Sequence, residues 1–162
     1  MFQERQDDAL SKTKARALKI LGSRQLSSHD ILRRLIQKGE TEENAGETVL
    51  WLERIGAVND AAYADSICRY YADKGYGLSR IKDELYKRGI SRELWDDAIS
   101  SIDDSDARDA VLRFLDKKLK GSTDEENIRR ASGTLRRRGL SYEDVKNAIA
   151  EYTERTENME DC

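Results

Sequence analysis

The sequence predicts an all-α protein of three tandem three-helix repeats, which are helix-turn-helix-like units stacked into an elongated curved body. Three observations predict it: the lack of proline, a short motif that recurs every fifty residues, and apolar residues at helical spacing around each copy of that motif. The 162 residues contain no proline, although average usage of about 5% would give roughly eight. Because sandwiches and barrels rely on Pro and Gly in their many turns, an all-β fold is disfavoured.

The recurring motif is a glycine that follows a basic turn and precedes, by two residues, a Thr or Ser. Its three copies occupy residues 37–41, 87–91 and 137–141. Glycine readily adopts the left-handed conformation that ends a helix, and a hydroxyl two residues later can cap the next helix. The motif therefore predicts three helix–turn–helix junctions at equivalent places in three repeats.

Apolar residues on both sides of each glycine recur at intervals of three or four, as one face of a helix requires. After the glycines, these residues are Ala45, Val49 and Leu52, then Trp95, Ala98, Ile99 and Ile102, then Val145, Ala148, Ile149 and Tyr152. We expect three-helix repeats over 11–56, 57–102 and 103–152, a frayed N-terminal segment over 1–10, and an acidic tail over 153–162. Gly133 lies inside the predicted second helix of the last repeat and should weaken it.

The residues that most catalytic sites need are scarce, so we expect no enzyme, no bound metal and no cofactor. The chain has one histidine, His29, and two distant cysteines, Cys68 and Cys162, which cannot form a Cys/His zinc cluster. It contains neither of the glycine-rich phosphate-binding loops. A Ser–His–acid triad would have to use His29, which lies at an apparent helix start beside capping residues.

The charge and hydropathy patterns indicate a protein of the cytoplasm rather than of a membrane. No run approaches the roughly 20 apolar residues that a spanning helix needs, and the N-terminus lacks the basic and apolar regions of a secretory signal. The formal net charge is −3, from 29 Lys+Arg against 32 Asp+Glu. We expect a monomer, without membrane contact.

Basic residues nevertheless concentrate in two zones that suit an acidic partner. Residues 69–92 carry seven basic and three acidic side chains, and residues 129–146 carry six and two. Basic residues also complement the negative end of a helix, so dipole compensation explains part of this pattern equally well. Tyr70 is expected in the core, and Tyr76 and Tyr86 are expected on the surface. The predicted face for binding a filament or nucleic acid comprises Arg69, Lys74, Tyr76, Arg80, Lys87, Arg88, Arg136, Arg137 and Arg138.

The middle repeat combines a helix start at residues 60–64 with the turn at 74–77 and the motif at 87–91. The helix start reads Asp-Ala-Ala-Tyr-Ala and the turn reads Lys-Gly-Tyr-Gly. In this combination the chain resembles the RecX family of bacterial recombinase regulators. The outer repeats match more loosely, through residues 35–39 and 135–141, so that the resemblance covers residues 15–152.

The resemblance implies a non-enzymatic regulator of RecA, with roles in homologous recombination, DNA repair and the SOS response. Members of the family bind the RecA–single-stranded DNA filament along its groove and restrain filament extension, ATP hydrolysis, strand exchange and LexA cleavage. The implied partner is that filament, and the implied contact of this chain with single-stranded DNA is made through the filament. Two alternatives stay open: a sequence-tolerant DNA-binding protein of helix-turn-helix-like units, which the net negative charge disfavours, and a helical scaffold for another protein.

Overall fold

The chain folds into nine α-helices and one short 3₁₀-helix, with no β-strand, which confirms the all-α prediction. The computed structural model describes residues 1–162. No helix combines the length and the apolar character needed to cross a bilayer. The helices are α1 (Phe2–Leu21), α2 (Ser28–Gln37), α3 (Glu42–Arg54), α4 (Asp60–Asp73), α5 (Leu78–Lys87), α6 (Trp95–Ser100), α7 (Asp104–Leu119), α8 (Glu125–Arg137) and α9 (Tyr142–Glu160), with the 3₁₀-helix at Arg92–Leu94.

The chain divides into two compact units. Unit 1 comprises Met1–Ala64 with Tyr86–Leu94, and unit 2 comprises Asp65–Leu85 with Trp95–Cys162. Helices α1, α2 and α3 pack together in unit 1, and helices α7, α8 and α9 pack together in unit 2. These two sets correspond to the predicted first and third repeats, whose boundaries along the chain stay a prediction.

Each three-helix set has its own apolar core, built from the predicted helical stripes. The core of α1–α3 includes Ala17, Leu21, Ile31, Leu35, Ala45, Val49, Leu52 and Val58. The core of α7–α9 includes Val111, Leu112, Leu115, Leu119, Ala131, Leu135, Leu140, Val145 and Tyr152. Helix α8 continues through Gly133 without a break, because Ala131 and Leu135 on either side of it are fully buried and hold the helix in place.

In the outer repeats, the hydroxyl groups of the recurring motif cap the following helices, as predicted. The side chain of Thr41 accepts a hydrogen bond of 3.2 Å from the backbone N–H of Asn44. Ser141 accepts one of 3.0 Å from the N–H of Asp144. In the middle repeat, the chain after Ser91 enters the 3₁₀-helix before it continues into α6.

The two terminal segments are parts of long helices. Residues 2–10 are helical and continue without interruption into α1, and residues 2–8 are exposed. Helix α9 runs to Glu160, so no helix end separates the acidic tail from the third repeat. No glycine or proline lies within either stretch to stop a helix. On α1, an ion pair of 2.8 Å joins Lys12 to Asp8 one turn away.

In unit 2, the glycine turn after α8 packs directly against the start of α5. The carbonyl of Arg138 accepts a hydrogen bond of 2.9 Å from the N–H of Gly77, and the carbonyl of Gly139 accepts one of 3.3 Å from Ser79. A Cβ at residue 77 would lie 2.3 Å from the Gly139 carbonyl oxygen, and one at residue 139 would lie 2.5 Å from the Arg80 nitrogen. Only glycine allows this approach of two backbones.

In unit 1, the glycine turn after α5 meets the start of α2 in a similar way. The Ser27 hydroxyl donates a hydrogen bond to the carbonyl of Arg88, and a Cβ at Gly89 would lie 2.6 Å from the His29 side chain. The carboxylate of Asp60 accepts a further bond of 2.8 Å from the N–H of Ser28. Within each unit, therefore, a carbonyl of one glycine turn accepts a hydrogen bond from the start of a helix. In unit 2 the donors are backbone N–H groups, which lack partners inside the helix, and in unit 1 the donor is the Ser27 hydroxyl.

Replacing Gly77 or Gly139 by alanine should destabilise the protein through this backbone contact. We expect a loss of about 1–3 kcal/mol in the free energy of unfolding at Gly77, where the cost is steric. Gly139 has φ 91°, so Gly139→Ala should lose a further 1 kcal/mol or so for the left-handed conformation. Urea unfolding followed by circular dichroism measures both.

Gly39→Ala is the matched control for Gly139→Ala. Gly39 has φ 93°, but a Cβ there would meet nothing within 4 Å. Gly39→Ala should therefore lower the free energy of unfolding only by the amount that the left-handed conformation costs an alanine. Equal losses at Gly39 and Gly139 would show that the packing of the turn on α5 does not limit stability.

Candidate functional site

The turn between α4 and α5 lies in a run of contacting aromatic rings and cations, all in unit 2. We call this run the cation–aromatic ladder. Its members are Tyr70, Tyr71, Lys74, Tyr76, Arg80, Phe114 and Arg138.

The tyrosines of the ladder contact each other edge to face. The rings of Tyr70 and Tyr71 have centroids 5.2 Å apart at an interplanar angle of 81°. The rings of Tyr71 and Tyr76 have centroids 5.5 Å apart at 76°. This T-shaped arrangement places the positive edge of one ring against the negative face of another, the geometry that aromatic pairs favour.

Arg138 forms the centre of the ladder. Its guanidinium carbon lies 4.5 Å from the ring centroid of Tyr76 and 4.0 Å from that of Phe114. Its Nη1 donates a hydrogen bond of 2.7 Å to the carbonyl of Lys74. Two ring contacts and a charge-assisted hydrogen bond thus hold one half-buried side chain against the turn, and each cation–ring contact typically contributes about 0.5–2 kcal/mol.

Arg80 and Lys74 attach to the ladder from α5 and from the turn. The Arg80 guanidinium lies 5.5 Å from the ring centroid of Tyr76, and its Nη2 forms an ion pair of 2.9 Å with the buried carboxylate of Glu84. The Lys74 ammonium lies 5.0 Å from the ring centroid of Tyr70. Arg80 is therefore held within the fold, whereas Lys74 and Tyr70 are exposed.

The nine residues of the predicted binding face fall into two groups by their surroundings. Tyr76, Arg80, Arg88 and Arg138 are half-buried, and their side chains or backbones hold the turns in place. The remaining five are exposed: Arg69, Lys74, Lys87, Arg136 and Arg137. Lys87 and Arg88 belong to unit 1, and the other seven belong to unit 2.

The tyrosines only partly follow the expectations from sequence. Tyr70, expected in the core, is 56% exposed, and Tyr86 is 70% exposed as expected. Tyr76, expected on the surface, is half-buried because Arg80 and Arg138 cover it. The sequence did not point to Phe114 as a member of the ladder, because Phe114 lies far from the turn along the chain. The one local signal for the ladder is that Tyr70 and Lys74 are four residues apart, a spacing that brings two side chains together on a helix.

The thiol of Cys68 lies in a buried part of α4. Burial, with a smaller contribution from the Asp65 carboxylate, raises its pKa to about 11. The thiol is therefore protonated at neutral pH and a poor nucleophile. No group of three or more His, Cys, Asp or Glu side chains is placed to hold a metal ion.

Comparison with known proteins relates the chain to one family. The model of the second three-helix domain of RecX matches residues 59–99, which include the turn of the ladder. The regulatory protein RecX of Stenotrophomonas maltophilia strain R551-3 is 31% identical over 136 residues, which cover 82% of each chain. That of Streptomyces coelicolor is 29% identical over 164 residues, covering 95% of this chain and 86% of the relative.

Solved structures show the same fold. The crystal structure of RecX from Lactobacillus salivarius superposes with a TM-score of 0.77 at 22% identity, over 90% of this chain and 97% of that one. A second crystal structure of a regulatory protein RecX gives a TM-score of 0.72 at 22% identity, over 90% of this chain and 73% of that one. The three-helix arrangement predicted from the sequence is thus found in solved structures.

Arg138→Lys should destabilise the protein although it keeps the charge. The Arg138 guanidinium is planar, so it contacts two rings and donates to a carbonyl at the same time, and a lysine ammonium lacks this planar shape. We therefore expect the free energy of unfolding in urea to fall by about 1–2 kcal/mol. Arg137→Lys, at an exposed neighbouring position, should change stability by less than about 0.5 kcal/mol. Equal unfolding midpoints for the two variants would contradict a structural role for Arg138.

The two cysteines should differ sharply in reactivity toward a thiol reagent such as dithionitrobenzoate at pH 8. Cys162 is exposed and should react at once, whereas buried Cys68 should react only as the protein unfolds. When urea unfolds the protein, a second equivalent of the reagent should react, at Cys68. Rapid reaction of both thiols in the folded protein would show that α4 opens locally.

Proposed function

The chain belongs to the RecX family of regulatory proteins, and from this premise we propose that it binds the RecA–single-stranded DNA filament along its groove. Bound there, it inhibits filament extension, ATP hydrolysis, strand exchange and LexA cleavage. The observation that carries the proposal is the match to a RecX protein over 82% of both chains at 31% identity.

The exposed basic residues are the part of the surface suited to this partner. Arg69, Lys87, Arg136 and Arg137 are exposed and positively charged, and a filament that contains DNA presents phosphates along its length. Several modest contacts, made by one chain to successive filament subunits, add up to avidity without a single tight site. The half-buried Tyr76, Arg80, Arg88 and Arg138 lie in or next to the turns at the ends of the helices that carry these residues.

We place this activity in the cytoplasm, in homologous recombination, DNA repair and the SOS response. The protein acts as a monomer and without chemistry of its own, by occupying filament surface. Its charged surface suits reversible association, because electrostatic attraction between complementary surfaces speeds encounter.

The direct test is the single-stranded-DNA-dependent ATP hydrolysis of RecA from the same organism, with this protein titrated in. Inhibition at less than one molecule per RecA is the expected result, because a protein that restrains extension acts on many subunits at once. Unchanged hydrolysis at excess protein would refute the proposal. If the chain then still bound duplex and single-stranded DNA alike, the alternative of a general DNA-binding protein would replace it.

The double variant Lys87→Glu/Arg137→Glu should inhibit RecA hydrolysis about tenfold less strongly than the natural chain, since it replaces two attractive contacts by like charges. The control is Lys117→Glu/Lys118→Glu, which makes the same charge change at exposed positions of α7. The control should inhibit normally. Equal weakening of both variants would mean that only net charge matters and that the predicted face has no special role.

A further inference from the structure

We propose that the exposed end of the cation–aromatic ladder is a stacking site for one base of single-stranded DNA. The site consists of the Tyr70 ring and the Lys74 ammonium that lies over it, with Arg69 as a further exposed cation on the same helix. It rests on the proposed function and deepens it, because it names the side chain that contacts a base of the single-stranded DNA.

The ring of Tyr70 is both accessible and held. It lies in the last turn of α4 and is 56% exposed, while its contact with the Tyr71 ring, at 5.2 Å and 81°, limits its rotation. Tyr71 is in turn braced by Tyr76, on which Arg138 lies. A ring whose orientation is fixed before binding loses little conformational freedom when a base stacks on it.

Cations lie on both sides of this ring along the chain. The Lys74 ammonium lies over the ring, 5.0 Å from its centroid, so a base that stacks on this face displaces the ammonium toward solvent. The exposed Arg69 directly precedes Tyr70, and its Nε donates to the carbonyl of Asp65 at 3.4 Å. The displaced Lys74 ammonium then lies beside the phosphates of the stacked base, and Arg69 adds a further exposed positive charge on the same helix. Asp73 is the exposed acid on the same turn, and it opposes an anionic ligand.

The surroundings of Tyr70 favour nucleic acid over a protein partner. The centres of protein–protein interfaces are poor in charged residues, whereas the exposed neighbours of Tyr70 are Arg69, Asp73 and Lys74, all charged. An aromatic ring among cations is the arrangement by which proteins bind single strands without regard to sequence, since every base offers a face for stacking.

The test uses the full chain and a fluorescently labelled oligothymidylate, with binding followed by anisotropy at two salt concentrations. Tyr70→Leu should weaken binding about tenfold, since loss of one stacked base typically has an effect of this size. Tyr70→Phe keeps the ring and should bind like the natural chain. Tyr86→Leu is the matched control, because Tyr86 is a 70% exposed tyrosine outside the ladder.

The charged neighbours give a second, independent readout. Lys74→Ala should reduce the slope of log affinity against log salt by about 0.7, the value for one phosphate on a single strand. Asp73→Asn should strengthen binding. Circular dichroism of each variant verifies that it is folded.

Three results would overturn the site. The first is that the natural chain does not bind the oligonucleotide measurably. The second is that Tyr70→Leu binds it as tightly as the natural chain, and the third is that Tyr70→Leu and Tyr86→Leu lose the same affinity for it. If Tyr70→Leu kept DNA binding, which is the second of these results, and also lost RecA inhibition, Tyr70 would instead be a protein contact. Because the RecA hydrolysis assay is separate, failure of the proposed function is distinguishable from failure of this site.

Discussion

The approach of Gly139 to Gly77 is the contact on which the rest of unit 2 depends. With no Cβ at either position, the carbonyls of Arg138 and Gly139 reach the N–H groups of Gly77 and Ser79 at 2.9 and 3.3 Å. The same approach brings the Arg138 guanidinium between Tyr76 and Phe114. A side chain at either glycine would separate the two backbones and, with them, the parts of the ladder.

The recurring glycine thus has two physical roles that one sequence motif does not separate. Gly39, Gly89 and Gly139 all have positive φ and end helices. At Gly89 and Gly139 the missing Cβ also leaves room for a neighbouring segment, whereas at Gly39 that space is open. The first role follows from the local chain, and the second depends on which segment packs against the turn.

The basic residues divide in the same manner between packing and surface. The guanidinium groups of Arg138 and Arg80 contact aromatic rings, and that of Arg80 also forms an ion pair with the buried Glu84. Arg69 and Arg137 are exposed, so they can meet a partner without disturbing the fold. A basic cluster in sequence therefore overstates the charge available for binding, because stacking on rings uses part of it to hold the turns.

The sequence by itself determined the all-α class, the helix ends at the recurring glycines and the caps at Thr41 and Ser141, because these depend on interactions within four or five residues of the chain. Only the tertiary structure decided that Tyr70 is exposed and that Tyr76 is covered, since burial depends on segments far away in sequence. Phe114 and Arg138, whose ring centroid and guanidinium carbon lie 4.0 Å apart, are brought together by the packing of α7 against α8. No local pattern encodes that pairing, so the sequence showed where the basic and aromatic residues lie and the packing decided which of them are exposed.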